Sequence, residues 1–229
     1  MKQNSENPFF GTYRTPFETP PFDQIETEHY EPAFDEGIRQ LDEEVRAIAD
    51  NAELPTFENT IVALERSGKL LDKVSSAFFN VLNAEADDEM MDISQRVSPK
   101  LSESSNNIYL NEKLFARVKS VYDQKEELHL PTEDARLLEE TFEAFSVRGA
   151  ALGPENKEKY RRLSSELSLL SLTFDQNALK DKNRYELLLT KENELEGLPE
   201  SIREAAALRA KEKGKTGWLF NLSAPSYVP

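Results

Sequence analysis

The two histidines are the residues of this chain whose type and spacing most directly suggest metal chemistry. Each ends a Glu-x-x-His sequence, which pairs Glu26 with His29 and Glu126 with His129. A catalytic zinc site needs three protein ligands and an open coordination position, and metalloproteases commonly supply two of those ligands from a His-Glu-x-x-His sequence on one helix. Because the chain has no such sequence and no cysteine, we predict that it contains no complete zinc hydrolase site.

A di-iron centre is a second metal site that the two Glu-x-x-His pairs could suggest. Two such pairs, together with two further glutamates, are the ligand set of ferritin-like di-iron bundles. Those ligands project from the middle of long helices, whereas His29 lies just before Pro32 and His129 just before Pro131, at predicted helix ends. A di-iron helical protein therefore stays an alternative interpretation of the chain, which iron analysis of the purified protein would test.

Two other patterns that can carry chemistry have structural explanations here. Gly214-Lys215-Thr216 resembles the end of a phosphate-binding loop, but Arg209 stands where the first glycine is required, and the pattern follows a predicted helix instead of a strand. Neighbouring acidic residues on a helix do not face each other, so we assign the acidic pairs to solvated surface. These pairs are Asp87-Asp88, Glu126-Glu127 and Glu139-Glu140. We predict no catalytic, cofactor-binding or metal-binding residue in this chain.

The charge of the chain argues against two classes of partner. The sequence has 28 basic and 43 acidic residues, which gives a formal net charge of -15. Nucleic acids and anionic membranes are usually bound through clustered Lys and Arg, so we expect neither partner. The start, Met1 to Gly11, does not look like a secretion signal. With no apolar run of about 20 residues either, we expect a soluble, cytoplasmic protein.

Hydrophobic spacing predicts the elements that would position any functional residue. Residues 1–22 contain four prolines and five aromatic residues, which predicts an extended arm packed on the body of the protein. From Tyr30 onward, apolar residues three and four positions apart predict successive amphipathic helices. The predicted helices cover Tyr30 to Ile48, a segment capped by Thr56, Lys69 to Asn83, Asp88 to Ser105 with a kink or break at Pro99, Asn111 to Leu130, a segment capped by Thr132, and Pro154 to Lys180.

The last predicted helix of that series is the longest, and the period of the sequence changes after it. Its apolar side is formed by Tyr160, Leu163, Leu167, Leu170, Phe174 and Ala178. Tyr185 to Thr190 and Trp218 to Leu222 have the length and composition of short strands, with a helix from Pro199 to Lys213 between them. The predicted fold is mainly α, a multi-helix array with an extended N-terminal arm and a small β element near the C-terminus. We divide it into the arm (1–22), a helical lobe (23–150) and a long helix with a small α/β segment (151–229).

Nine segments of the sequence together resemble a known family. They are residues 20–25 (PPFDQI), 29–34 (HYEPAF), 55–68 (PTFENTIVALERSG), 78–80 (FFN), 99–101 (PKL), 108–111 (IYLN), 114–115 (LF), 195–199 (LEGLP) and 223–227 (SAPSY). Their order and content resemble the N-terminal region of bacterial peptidyl-dipeptidases of the thimet oligopeptidase family of zinc metallopeptidases. The resemblance covers almost the whole chain from about Asn7.

The resemblance implies a division of labour between two lobes. Enzymes of this family are larger, mostly helical and built around a deep channel, and their zinc motif lies in the C-terminal half. The N-terminal region forms one wall of the channel and restricts access to short peptides. The chain would then be the non-catalytic N-terminal lobe, truncated before the catalytic half. It would have no cofactor of its own, while the parent enzyme would use zinc.

Two further expectations concern partners. The resemblance implies that the partners of this region are the C-terminal catalytic half and short peptide substrates. An apolar face that normally packs on the catalytic half would favour self-association of the isolated chain, or partial disorder from Trp218 to Pro229. The alternative to a peptidase lobe is a free-standing helical binding module without peptidase activity.

Overall fold

A computed structural model of the chain describes residues 7–85 and 87–222. These residues are mainly helical and include one small antiparallel sheet near the C-terminus, so the predicted fold class is confirmed. The chain forms two compact units, Met1–Leu169 and Leu170–Pro229. The division after residue 150 stays a prediction. No helix among the described residues is both long and apolar enough to cross a membrane.

The helices follow the order that the hydrophobic spacing predicts. They are α1 (Tyr30–Ala49), α2 (Ala63–Glu65), α3 (Lys69–Glu85), α4 (Asp88–Tyr109), α5 (Glu112–Tyr122), α6 (Thr132–Val147), α7 (Pro154–Arg184) and α8 (Glu200–Glu212). Short 3-10 turns cover Pro8–Phe10, Pro16–Glu18, Thr27–His29 and Glu192–Leu195.

The arm is anchored by one aromatic side chain instead of lying on the body along its whole length. Phe9 is fully buried beside Tyr30 of α1, with ring centres 5.4 Å apart. Phe10 and Tyr13 are partly buried against the same cluster. Phe17 and Phe22, in contrast, are exposed. The prediction of a packed arm is therefore correct for residues 9–13, whereas the turn around Phe17 projects into solvent.

The first core cluster joins α1, α3 and α4 beneath the arm. Phe34 of α1 and Phe78 of α3 are fully buried and meet edge to face, with ring centres 5.3 Å apart. Val97 of α4 completes the cluster. Of the predicted kink or break at Pro99, the break is wrong, because α4 continues through that residue. The kink stays a prediction.

A second core cluster is formed by the end of α1, the segment before α2, and helices α5 and α6. Its fully buried members include Ile61, Leu114, Val118, Leu138 and Phe145. Because most of these side chains recur at the spacings that the sequence predicts, the helix faces are correctly predicted.

Helices α3, α4 and α7 extend two to four residues beyond their predicted ends, to Glu85, Tyr109 and Arg184. Three further differences concern the segment after Thr56, the end of α5 and the start of α6. Thr56 caps its segment as predicted, but the first turn, Phe57–Val62, is π-helical before α2 begins. Helix α5 ends at Tyr122 instead of Leu130, because a series of turns occupies the residues before Pro131. Thr132 is the first residue of α6 and not its cap, since the cap position belongs to Pro131.

Helix α7 begins at Pro154, as predicted, but its apolar side is not buried. Leu163, Leu167, Leu170 and Phe174 are all exposed to solvent; we call these four residues the α7 stripe. The body-facing side of α7 instead carries polar residues. Lys157 is buried, and its Nζ donates to the Leu110 carbonyl at 3.3 Å and to Glu112 Oε1 at 3.0 Å. These polar contacts explain why the spacing of the apolar residues predicts the wrong packed face for this helix.

The C-terminal unit contains the predicted β element. Strand β1 (Leu187–Leu189) pairs with β2 (Trp218–Phe220), with Leu188 opposite Leu219. Gly217 has a φ of 117°, and a Cβ there would lie 2.3 Å from the Leu189 carbonyl oxygen, so glycine is needed where the strands meet. Residues 223–229 lie outside the described residues, and the predicted disorder of the C-terminal end stays a prediction there.

Candidate functional site

The first Glu-x-x-His pair forms a helix cap. His29 ends a 3-10 turn, and its Nδ1 accepts the backbone N–H of Glu26 at 2.9 Å. The backbone N–H of His29 donates to the Glu26 backbone carbonyl at 3.0 Å, and the two residues have the arrangement of a capping box. The spacing of three that suggests a metal ligand pair is therefore used to satisfy backbone donors at the start of α1.

The second pair lies in the turns that follow α5. His129 is exposed and has a φ of 46°, in the left-handed region that few non-glycine residues adopt. It lines a shallow surface cavity with Glu126 and Glu139. Across the described ranges 7–85 and 87–222, no three His, Asp or Glu side chains come together in a group that could hold a metal ion. The residues that the structure describes do not fit a zinc or di-iron site.

The acidic pairs are divided among separate structural contacts. Asp87 is the N-cap of α4, where its carboxylate accepts the backbone N–H of Met90 at 2.8 Å. Glu140 pairs with Arg136 one turn away at 2.7 Å. Glu139 faces Lys125 at 3.4 Å. Because each of these carboxylates has its own partner, the described geometry pairs none of them with a second carboxylate for acid–base work.

The Gly214-Lys215-Thr216 segment ends a helix, as the sequence predicts. Gly214 has a φ of 66° directly after α8. The side-chain amino group of Lys215 bonds to the Glu186 carboxylate, and Lys213 bonds to the same carboxylate. These two hydrogen bonds lower the pKa of Glu186 to about 2. The lysine that a phosphate-binding loop would need is thus already held by an acidic side chain.

The arm is held to α3 by a lysine that the sequence does not distinguish. Lys73 Nζ donates to the carbonyl oxygens of Phe9 at 3.1 Å and Gly11 at 2.6 Å. The same ammonium lies 3.6 Å from the centre of the Tyr13 ring, a cation–π contact. Partial burial lowers the pKa of Lys73 and raises the pKa of Tyr13 to about 12. Both changes follow from the burial of these side chains where the arm packs against α3.

Two surface cavities lie beside the arm. One of about 680 Å³ is lined by the arm itself, and one of about 500 Å³ lies between the arm, α1 and α3. The second contains Glu36, which accepts hydrogen bonds from Arg39 at 2.7 and 2.8 Å. These bonds, and a further one from Gln40, lower the pKa of Glu36 to about 2. A carboxylate held this strongly in its ionised form is poorly suited to general acid catalysis at neutral pH.

Comparison with known proteins provides the functional context that the geometry alone does not. No protein-family model matches the chain. The chain is 41% identical over 224 residues to dipeptidyl carboxypeptidase of Escherichia coli strain K12, across 97% of this chain and 33% of that protein. It is 39% identical over 226 residues to dipeptidyl carboxypeptidase of Salmonella typhimurium strain LT2, across 98% of this chain and 33% of that protein. Oligopeptidase A of Escherichia coli strain K12 is 28% identical to this chain over 215 residues, across 94% of this chain and 32% of that protein.

The homologues of this chain are peptidases. The chain matches the N-terminal third of these proteins and spans about a third of their length. The resemblance that the sequence segments indicate is therefore confirmed. The features of this peptidase homologue described above, a capped helix start, ion pairs and an anchored arm, all stabilise structure.

Arg117, like Lys73, makes contacts that the sequence of this peptidase homologue does not predict. Its side chain is buried, and Nη1 donates to the carbonyl oxygens of Asn51 at 2.8 Å and Glu53 at 3.0 Å. Arg117 lies on the apolar face of α5 between Leu114 and Val121. The only sequence signal was a charged residue inside an apolar stripe, which is not specific enough to predict a buried hydrogen-bonding centre.

Proposed function

We propose that the chain is the non-catalytic N-terminal lobe of a zinc-dependent peptidyl-dipeptidase or oligopeptidase. The observation that carries the proposal is the 41% identity to dipeptidyl carboxypeptidase across 97% of the chain. The matched region is 33% of the length of that enzyme. A match of this extent supports a shared fold and a shared place in the larger protein. In this proposal the remaining two thirds of the polypeptide supply the catalytic residues and the zinc ligands.

The contacts of the histidines support a lobe without metal chemistry of its own. His29 Nδ1 already accepts a backbone hydrogen bond from Glu26. His129 lies on an exposed turn, 100 positions further along the chain. A hydrolytic zinc ion needs three converging ligands, and neither histidine has two further ligands beside it among the described residues.

The proposed role of the lobe is to form one wall of the substrate channel and to restrict access to short peptides. Rigid packing supports this role, because a wall excludes folded proteins only if it does not yield. The first compact unit contains two core clusters, and its fully buried side chains include Phe34, Phe78 and Phe145. Close packing of this kind resists deformation. Exclusion of bulk water by such a wall also strengthens electrostatic interactions at a neighbouring metal.

Peptide hydrolysis by three matched preparations tests the proposal. The first is the purified chain, the second is the remaining two thirds of the Escherichia coli dipeptidyl carboxypeptidase, and the third is a fusion in which this chain replaces the matching third of that enzyme. Each is assayed on a short peptide with a free C-terminus, with zinc and with a chelator. We expect zinc-dependent release of C-terminal dipeptides from the fusion and no hydrolysis by the chain alone.

Two outcomes would contradict the proposal. Zinc-dependent hydrolysis by a clean preparation of the chain would contradict the non-catalytic role. A folded fusion that hydrolyses no peptide would contradict the assignment as a peptidase lobe and favour a separate binding module. The wall role is tested by the ratio of hydrolysis rates on the short peptide and on a long unfolded polypeptide. We expect this ratio to be higher for the fusion than for the catalytic part alone.

A further inference from the structure

Among the residues that the structure describes, α7 carries more exposed large hydrophobic side chains than any other helix. Leu163, Leu167, Leu170 and Phe174 are 49%, 64%, 60% and 72% exposed. Single exposed hydrophobic residues are common on protein surfaces, but contiguous apolar patches usually mark interaction sites. These four side chains repeat along one helix face, so they form a patch and not four isolated residues.

The spacing of the stripe indicates the shape of what covers it. The four residues are separated by four, three and four positions, the alternation that places side chains along a helix–helix seam. From Leu167 to Phe174 the sequence reads LSLLSLTF and contains no charged residue. Charged residues flank this uncharged segment, with Lys159, Arg162 and Glu166 before it and Asp175 directly after it. An apolar centre with charged residues at its edge is the usual composition of a protein interface.

The opposite face of α7 fixes the direction in which the stripe points. Asn106 Nδ2 on α4 donates to Ser164 Oγ at 2.8 Å. Arg161 Nη1 donates to Asn107 Oδ1 at 2.8 Å. Together with the buried Lys157, these contacts hold the polar face of the helix against α4. Turning Leu163 and Leu167 inward would break these contacts, so the exposure of these two side chains is a property of the first compact unit.

We propose that the α7 stripe is the docking surface for an amphipathic helix in the remaining two thirds of the full-length peptidase. This inference rests on the proposed function. The relatives are about three times as long as this chain, so they contain the polypeptide that could cover the stripe. A second copy of the chain fits less well, because each copy carries a net charge of -15 and like charges repel. An uncharged helix face matches the uncharged centre of the stripe.

Cysteine labelling provides a direct test, because the chain contains no natural cysteine. Leu167→Cys places a thiol in the stripe. Leu54→Cys is the matched control, since Leu54 is 85% exposed and lies in a loop outside α7. The maleimide labelling rate at each site is measured by peptide mass spectrometry in the isolated chain and in the fusion with the Escherichia coli catalytic part. The two parts mixed as separate chains provide a second sample.

We expect labelling at position 167 to be at least tenfold slower in the fusion or the mixture than in the isolated chain, with position 54 unchanged. Equal labelling of the Leu167→Cys variant in all samples would overturn the proposal, even if the fusion is an active peptidase. Slow labelling in the isolated chain, together with a dimeric mass in sedimentation, would assign the stripe to a second copy and also overturn it. A protected thiol at position 167 in an inactive, folded fusion would support the docking surface and contradict the proposed function alone.

Discussion

Arg117 and Asn59 are joined by a hydrogen bond of 2.9 Å between Nη2 and the side-chain Oδ1, although 58 positions separate them. The same Asn59 oxygen accepts the backbone N–H of Thr56 at 2.9 Å. Thr56 Oγ1 in turn accepts the backbone N–H of Asn59 at 3.1 Å. The buried guanidinium of α5 is therefore bonded directly to the capping box that starts the π-helical turn. This link joins the segment before α2 to α5, the two elements that contribute Ile61 and Leu114 to the second core cluster.

Replacing Arg117 with lysine should lower the free energy of unfolding by about 2–4 kcal/mol, since a buried ammonium cannot reproduce the forked donors of a guanidinium. The carbonyl oxygens of Asn51 and Glu53 would lose their partner, and so would Asn59. Urea unfolding measures the loss. Arg66→Lys is the control, because Arg66 is exposed, and it should change stability by less than about 0.5 kcal/mol. Equal effects of the two substitutions would show that Arg117 is not a stabilising centre.

Phe9→Ala should detach the arm and lower the free energy of unfolding by about 3–5 kcal/mol, because it removes a fully buried ring from the first core cluster. The Lys73 contacts would be weakened with it, since Lys73 Nζ bonds to the Phe9 carbonyl. Limited proteolysis should then cleave the arm faster. Phe17→Ala is the matched control: Phe17 is 99% exposed, and its loss should leave stability within about 0.5 kcal/mol. Unchanged proteolysis of the Phe9 variant would argue against the anchor.

The parts of the fold that sequence reasoning predicts are those set by local physics. Tyr30 and Phe34 recur at helical spacing and face the core, and Thr56 is a cap because its side chain can accept a backbone N–H group. The same physics predicts the strand pair, since short apolar runs flank the helix from Glu200 onward. The family resemblance supplied the functional context, which none of these local signals contains.

The parts that escaped prediction depend on long-range polar contacts. The body-facing side of α7 is set by Lys157, Asn106 and Ser164, and no hydrophobic period can reveal such a face. Helix α5 ends at Tyr122, earlier than predicted, because the residues after it form turns instead of continuing the helix. Glu26 and His29 match a metal-ligand spacing, yet the same spacing also suits a capping box. Only the geometry distinguishes these two uses.

Gly37→Ala should destabilise the protein, although alanine is normally the better residue inside a helix by about 1 kcal/mol. A Cβ on Gly37 would lie 3.0 Å from both the backbone N and the Cα of Leu71, where α1 crosses α3. The helices would have to separate, at a cost of about 1–3 kcal/mol. Thermal unfolding of Gly37→Ala measures this cost.

Gly153→Ala is the matched control for that measurement. A Cβ at Gly153 meets no described atom within 4 Å, and the residue precedes Pro154. The substitution should be neutral or raise stability by up to about 1 kcal/mol, because alanine reduces the entropy of the unfolded chain. A stabilised Gly37→Ala variant would mean that α1 and α3 do not approach as closely as described.

Glu36→Gln should make the stability of the protein less sensitive to acid. Hydrogen bonds from Arg39 and Gln40 lower the pKa of Glu36 from 4.5 to about 2 in the folded state. A group whose pKa is lower in the folded state stabilises the protein above its unfolded pKa and loses that contribution as the pH falls through the folded value. The contribution of Glu36 is therefore complete above about pH 5 and is lost between pH 4.5 and 2.

The size of that contribution is limited because the Arg39 side chain is 53% exposed and the Glu36 side chain 24% exposed. We expect Glu36→Gln to cost about 0.5–1 kcal/mol at pH 7 and progressively less toward pH 2. Urea unfolding at several pH values measures the difference between wild type and variant. Glu65→Gln is the control, because Glu65 is exposed and forms no ion pair among the residues that the structure describes. A Glu36→Gln difference that stays constant from pH 7 to pH 2 would mean that the carboxylate charge contributes nothing and that the effect comes from packing.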